Sequence, residues 1–273
     1  MKSGSYERTG IYLGVLLTSA FFVLPYIWML LSSAKTGLMN PARMFLTPWT
    51  LENYLADLVE PSFYPTVINS LIETIATTTI VVALTVPASY LLARSDFPGK
   101  RYLLYTLLAF MFFPGIAIIG PLYKLEGLLG IYNTWYGLIG PYCALTIPWS
   151  IWVLTGYFKT LPREIEEAAE IDGCTWVQTL MKIIIPLSKF AIITAALIVF
   201  ITSWNEFILG FNLTLGNESR PVTVGVTTFE GVYEMNLGQV TAAGIIASII
   251  PTVLAVSSYK LIIEGLTAGA VKR

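Results

Sequence analysis

Six times in 273 residues the chain runs for about the length of a bilayer crossing with almost no charge. That repetition constrains the fold more than any other feature. The first run, Ile11 to Leu31, contains no charged side chain and is longer than the apolar core of a signal peptide, about 7–15 residues. Hydrocarbon offers no partner to a free N–H or C=O, so a chain with such runs crosses as helices of about 20 residues each. The expected spans are 10–32, 66–94, 102–125, 134–159, 189–212 and 239–263. The fold class is therefore all-α membrane protein, with six transmembrane helices in a single transmembrane domain over 1–273. Composition agrees: 12% of residues are charged, about half the share in a soluble domain.

Lys and Arg placement orients the spans. With the N-terminus in the cytoplasm, Lys2, Arg8, Arg94, Lys100, Arg101, Lys159, Arg163, Lys182, Lys189, Lys260, Lys272 and Arg273 fall at or near the inner face. Only Lys35, Arg43, Lys124 and Arg220 fall outside. Both termini are thus expected in the cytoplasm of a multi-pass cell-membrane protein. Proline punctuates the spans at Pro87, Pro114, Pro121, Pro141, Pro148 and Pro251, which fits either a bundle bent around a pathway or ordinary kinked packing.

Several chemistries are excluded. The chain has no histidine, which removes imidazole bases, Ser-His hydrolysis and His-bound zinc. No metal site is expected: Cys143 lies in a span and Cys174 in a polar stretch, too different in setting to pair. A net charge of −1 without a basic stripe gives no sign of nucleic acid. No G-x-x-x-x-G-K-[ST] occurs, so the chain cannot cradle a nucleoside triphosphate itself.

Residues 161–182 break the apolar pattern with a strongly polar island holding Glu164, Glu166, Glu167, Glu170 and Asp172, and the loop, 161–186, runs on to Pro186. Pro162 suits a helix start, and Arg163 and Glu167 are spaced to pair. Gly173 suits a left-handed cap, and Thr175 can cap a second helix. In that helix Trp176, Thr179, Leu180, Ile183 and Ile184 recur at helical spacing, and Pro186 closes it. The expected form is a cytoplasmic helix-turn-helix. Its acidic face argues against rest on the inner leaflet, which is itself negative, and for docking of a soluble partner.

The island resembles the EAA loop of ATP-binding cassette importer permeases: Glu167-Ala168-Ala169, three residues, Gly173, nine residues, then Ile183-x-Ile185-Pro186. Ile185 stands where the usual motif has leucine. Asn69-Ser70, Phe97-Pro98-Gly99-Lys100-Arg101, Trp204-Asn205-Glu206-Phe207 and the tail Gly265–Lys272 are similar to the MalG-like sugar permeases. The resemblance implies a transport subunit that is not itself an enzyme. It implies a homologous MalF-like permease beside it, two ATP-binding cassette subunits beneath and an extracytoplasmic sugar-binding protein. No cofactor is expected on this chain, ATP and magnesium belonging to the partner. The cargo implied is a disaccharide or oligosaccharide of the maltose or trehalose type, or a related polyol. The motif assigns ATPase docking to Glu167, Ala168, Ala169, Gly173, Ile183 and Pro186.

Glu73, Asn205 and Glu206 are strongly polar groups within the expected spans, where a charge costs a few kcal/mol and faces the bundle interior. Trp204, Asn205 and Glu206 are candidates for the substrate pathway; solvation of Glu206 at the outer interface is the other reading. Glu73 is expected to hydrogen-bond a neighbouring helix. In the external segment 213–238, Asn217, Arg220 and Tyr233 are candidates for contact with the binding protein. Two alternatives stay open: an importer permease for a non-sugar solute, or a proton-coupled secondary transporter using Glu73 or Glu206.

Overall fold

The structure, a computed structural model, describes residues 3–36, 45–229 and 236–268. The candidate residue Tyr233 and the end of the tail lie outside the described residues. The helices are α1 (Ser3–Ser33), α2 (Glu52–Val59), α3 (Tyr64–Arg94), α4 (Lys100–Met111), α5 (Ile119–Leu129) and α6 (Trp135–Phe158). They continue with α7 (Glu164–Ile171), α8 (Trp176–Thr179), α9 (Ile185–Leu187), α10 (Lys189–Trp204), α11 (Ile208–Leu213), α12 (Val222–Gly225) and α13 (Leu237–Ala268).

Four helical stretches are long and apolar enough to cross a bilayer: Gly10–Ser33, Tyr64–Arg94, Trp135–Phe158 and Leu237–Tyr259. Two bent pairs bring the total to six if each counts as one span. The pair Lys100–Met111 with Gly115–Leu129 bends by 94°, and the pair Trp176–Leu187 with Lys189–Trp204 by 80°. The span expected over 102–125, with Pro114 inside it, is the first of these bent pairs. α4 stops at Met111, Pro114 takes an extended conformation (ψ 116°), and a 3₁₀ turn, Gly115–Ile118, leads into α5. Proline has no N–H to continue the ladder and clashes with the preceding turn. The fifth expected span, 189–212, is likewise interrupted: α10 ends at Trp204, and Asn205, Glu206 and Phe207 connect it to α11. By contrast, Pro87, Pro141, Pro148 and Pro251 sit inside unbroken helices.

The chain forms two compact units, Met1–Tyr64 with Gly225–Ile249, and Pro65–Val224 with Ile250–Arg273. In the first, the α1–α2 connection is held by polar contacts. The Asn53 amide donates to the carbonyls of Ser33 (2.8 Å) and Lys35 (2.9 Å). Lys35, only 3% exposed, donates to Thr47 O and lies 3.5 Å from the Trp49 ring centre. A side chain at Gly238 would overlap the Lys35 carbonyl, so glycine is required where α13 begins. No residue in the apolar window of α1 is buried within the chain; lipid or another subunit must cover it.

The second unit is built on α3, α6 and α10. One apolar cluster joins Val86, Tyr90 and Ala93 of α3 to Leu154 and Phe158 of α6, Leu180 and Ile184, and Ala195 of α10. A polar stripe runs beside it: Ser70, Glu73, Thr77, Thr85 and Ser89 on α3, and Thr146, Ser150 and Thr155 on α6, all buried. Thr146 bonds the carbonyl four residues back in its own helix (2.7 Å), and Ser89 donates across the interface to Ile151 O (3.3 Å).

Candidate functional site

The polar island folds as a two-helix knob. Glu164, Glu166 and Glu167 occupy the first turn of α7, where negative charge meets the unpaired N–H groups of the helix start. Gly173 ends the helix at φ +80°. Its N–H bonds Glu170 O (3.0 Å) and the Cys174 N–H bonds Ala169 O (2.9 Å), which is the paired closure of a glycine-terminated helix. Thr175 starts α8 with a capping box: its hydroxyl accepts from Gln178 N, and Gln178 Oε1 accepts from Thr175 N (2.8 Å). A π-helical turn, Leu180–Ile184, then leads to α9 and the bend at Ser188.

One contact decides how this knob is mounted, and local spacing does not reveal it. Arg94, the last residue of α3, donates from Nε to Glu166 Oε1 at 2.6 Å and from a terminal nitrogen to Leu161 O at 3.0 Å. The two side chains are 11% and 18% exposed. The expected Arg163–Glu167 pair does not form; the ion pairs of the described residues are Arg94–Glu166 and Lys100–Asp96. A surface i,i+4 pair is worth only about 0.3–0.5 kcal/mol, less than a partly buried, forked arginine contact. The second half of the knob is held through rings: Tyr90 lies 5.5 Å from Trp176 and 5.9 Å from Phe158. A cavity of about 200 Å³ between Tyr90, Glu166, Cys174 and Trp176 separates the two attachments.

This mounting sorts the motif residues. Ala169 is 2% exposed and faces the chain interior, whereas Ala168 and Glu167 face outward. Gly173 and Pro186 are exposed, Ile183 is half-buried, and Ile184 beside it is fully buried. The outward face also presents Ile171 (86% exposed), Val177 and Met181, which the motif did not point to. Large apolar groups left bare beside acids on a capped two-helix knob are the signal that would have found them.

The second predicted group gathers around the α10–α11 break. Glu206 accepts from the N–H groups of Leu209 (3.0 Å) and Gly210 (3.2 Å), capping α11. Its charge is thus matched by backbone donors. Trp204 is 2% exposed and stacks on Phe200, while Asn205 is exposed. Asn217 and Arg220 are brought close by Asn69, whose amide donates to both of their carbonyls (3.0 and 3.1 Å) and accepts from the Trp135 indole (3.0 Å). Ser70 accepts from Val222 N at 2.7 Å. Asn133, in the left-handed region at φ +57°, bonds Glu218, Leu215 and Ser219. Asn69 and Asn133 are therefore the staples of the 213–224 segment. Glu73 is fully buried and carries no hydrogen bond to a neighbouring helix, contrary to expectation.

Comparison with known proteins places these features in context. Residues 85–267 match the family described as binding-protein-dependent transport system inner membrane component. The trehalose/maltose transport system permease protein MalG of Thermococcus litoralis is 36% identical over 100% of this chain and 99% of its own length. The trehalose transport system permease protein SugB of Mycobacterium tuberculosis is 34% identical over 97% of this chain and 98% of its own. Among solved structures, a chain of a bacterial ABC transporter involved in import of the acidic polysaccharide alginate superposes with a TM-score of 0.77. It has 22% identity and covers 95% of this chain and 98% of that one, a likeness of fold.

Proposed function

Because this chain belongs to the family of binding-protein-dependent transport system inner membrane components, we propose that it is the membrane-spanning permease subunit of an ATP-driven sugar importer. The observation that carries the mechanism is the knob 161–186: exposed, charged and apolar at once, internally capped at both helices, and fastened to the end of α3. Relatives named for trehalose and maltose over their full length support a sugar of the disaccharide or oligosaccharide class.

In this reading two ATP-binding cassette subunits lie on the cytoplasmic side and one of them receives the knob. Glu167 and Ala168 make the outward contact, with Ile171 and Val177 filling apolar space around them. Gly173 sets the angle between the helices, Ile183 and Pro186 lead into α10, and Ala169 supports the contact from within. ATP closes the cassettes together, and their motion enters the permease through the knob. Arg94 and Tyr90 pass it to α3, and the bend at Ser188 passes it to α10. Alternating access follows if nucleotide binds the two states with different affinity, since a ligand shifts an equilibrium only by that difference. A homologous permease completes the pathway and covers part of the apolar surface that this chain leaves exposed. Trp204, Asn205 and Glu206 lie toward the end where Asn217 and Arg220 face the sugar-binding protein. Both termini are cytoplasmic.

The test is purification of the detergent-extracted chain with the products of its neighbouring genes, followed by ATPase assay across a sugar panel. Sugar-stimulated hydrolysis that needs an added binding protein is the expected result. A chain that purifies alone and moves solute in liposomes without ATP overturns it, and directs attention to Glu73 and Glu206.

A further inference from the structure

The turn between α3 and α4 carries a cavity of about 430 Å³ that the transport mechanism leaves unused. Asp96, Phe97, Lys100, Arg101, Tyr105 and Trp152 line it. α3 ends at Arg94 and α6 at Phe158, so two apolar helices stop here and Asp96, Lys100, Arg101 and Lys159 follow at once. Charge that abrupt at the ends of two spans sets the turn at an edge of the hydrocarbon. α4 buries none of its residues within the chain, so its flank faces whatever surrounds the protein. Tyr102, Tyr105 and Trp152 are exposed, each joining an apolar body to a polar tip, as aromatic residues at a headgroup level do.

Charge decides the occupant. Asp96 is the one acid lining the cavity, and Lys100 already bonds it at 3.0 Å. That hydrogen bond and the Lys100 charge hold its carboxyl below the usual carboxylate range, with Arg163 and Lys159 adding to the effect. Of the charged groups that line the cavity, Lys100 and Arg101 stand against Asp96 alone, leaving positive charge in excess. Arg101 donates from Nε to the Tyr105 hydroxyl (2.8 Å), with the ring centre 5.3 Å away, which holds the guanidinium at the cavity. Among the described residues none accepts from its terminal nitrogens, the pair that matches a phosphate.

We propose that the α3–α4 turn seats the phosphate headgroup of an anionic phospholipid. Arg101 forks the phosphate, Lys100 adds charge from the first turn of α4, Tyr105 and Trp152 flank the glycerol level, and the acyl chains run along the apolar flank beside Leu104. With the orientation given by Lys and Arg placement, this is the cytoplasmic leaflet, whose lipids are negative. The seat is independent of what the protein carries.

The test uses the full-length chain in neutral detergent with phosphatidylcholine, titrated with phosphatidylglycerol and followed by native mass spectrometry. Wild type retains phosphatidylglycerol in preference to phosphatidylcholine. Arg101→Gln weakens that retention about fivefold, the effect of one cation near an anionic surface, and Arg101→Lys, which keeps the charge without the fork, restores part of it. Lys124→Gln, on exposed α5, changes nothing. Equal melting of all variants in phosphatidylcholine alone shows that the fold is intact. Three results overturn the proposal: Arg101→Gln holding phosphatidylglycerol as wild type does, millimolar inorganic phosphate displacing the lipid, or the preference vanishing once the complete importer is assembled. The last assigns this face to a partner subunit.

Discussion

Replacing Arg94 with alanine tests whether motion of the knob enters the bundle through α3. The substitution removes a 2.6 Å charge-assisted bond to Glu166 and a 3.0 Å bond to Leu161 O, and leaves an 18%-exposed carboxylate without its cation. A hydrogen bond to a charged group contributes about 1.5–3 kcal/mol, and removing one partner of a fully buried pair costs about 3–5 kcal/mol. This pair is partly wet, so about 2 kcal/mol is the reasonable value, or roughly a thirtyfold rise in the population with α7 detached. The Tyr90–Trp176 contact still holds α8, so the knob loosens at one end without unfolding. In proteoliposomes of the assembled importer, sugar moved per ATP hydrolysed should fall several-fold while the protein still inserts and melts normally. Arg94→Lys should recover part of the loss, because an ammonium cannot fork to a carboxylate and a carbonyl in the guanidinium's fixed geometry. A double-mutant cycle with Glu166→Gln should show a coupling of about 1–2 kcal/mol in protease resistance of residues 161–176. Unchanged transport stoichiometry together with unchanged protease resistance in Arg94→Ala would refute the reasoning.

Gly173→Val places a β-branched residue at φ +80° with open space around it, so backbone strain of about 1–2 kcal/mol, and not a clash, should misalign the helices; loss of sugar-stimulated ATPase activity with normal insertion is the readout. Gly210→Leu sets a side chain 2.5 Å from Pro221 Cγ at its first carbon, and should lower the thermal midpoint by an amount corresponding to about 1–3 kcal/mol. Asn69→Ala removes three hydrogen bonds at once and should expose 213–224 to hydrogen exchange, at a cost of about 2–3 kcal/mol. Burial raises the Asp57 carboxyl from 3.8 to about 6, with Gln239 opposing and Glu60 adding to the shift. A carboxyl raised in the folded state favours folding while it is protonated, and that advantage is lost as pH climbs from about 4 through about 6. Protection at α2, corrected for intrinsic exchange, should therefore be greater at pH 5 than at pH 7.5 by about 1.4 kcal/mol, and Asp57→Asn should flatten the profile.

Much of this molecule was legible without coordinates, for reasons that are local. Apolar run length identifies spans because hydrocarbon thickness and helix rise are constants. The caps at Gly173 and Thr175 could be read because both depend on residues within three or four positions of each other, and the structure adds Gln178 as the second half of a capping box. The EAA spacing carried the family for the same reason. Run length is silent about direction, however. Pro114 broke a span by 94° whereas Pro87 and Pro148 did not, because a missing N–H breaks a helix only where neighbours fail to hold it straight. Asn205 and Glu206 read as residues of a span, yet they form its end, with the carboxylate turned onto the start of α11.

The sequence by itself thus determined the class, the apolar runs that supply four to six crossings, the knob and its caps at Gly173 and Thr175, since each follows from solvent preference or from contacts a few residues long. Tertiary structure alone decided how the knob is mounted. Arg94 and Glu166 are 72 residues apart, and no local pattern distinguishes Glu166 from Glu164, Glu167 or Glu170 as the partner. Only when α3, α6 and α10 pack does one carboxylate come within reach and lose enough water for the pair to outweigh the surface alternatives. The same packing turned Ala169 inward and left Ala168 outward, dividing a three-residue motif between a buried and an exposed face.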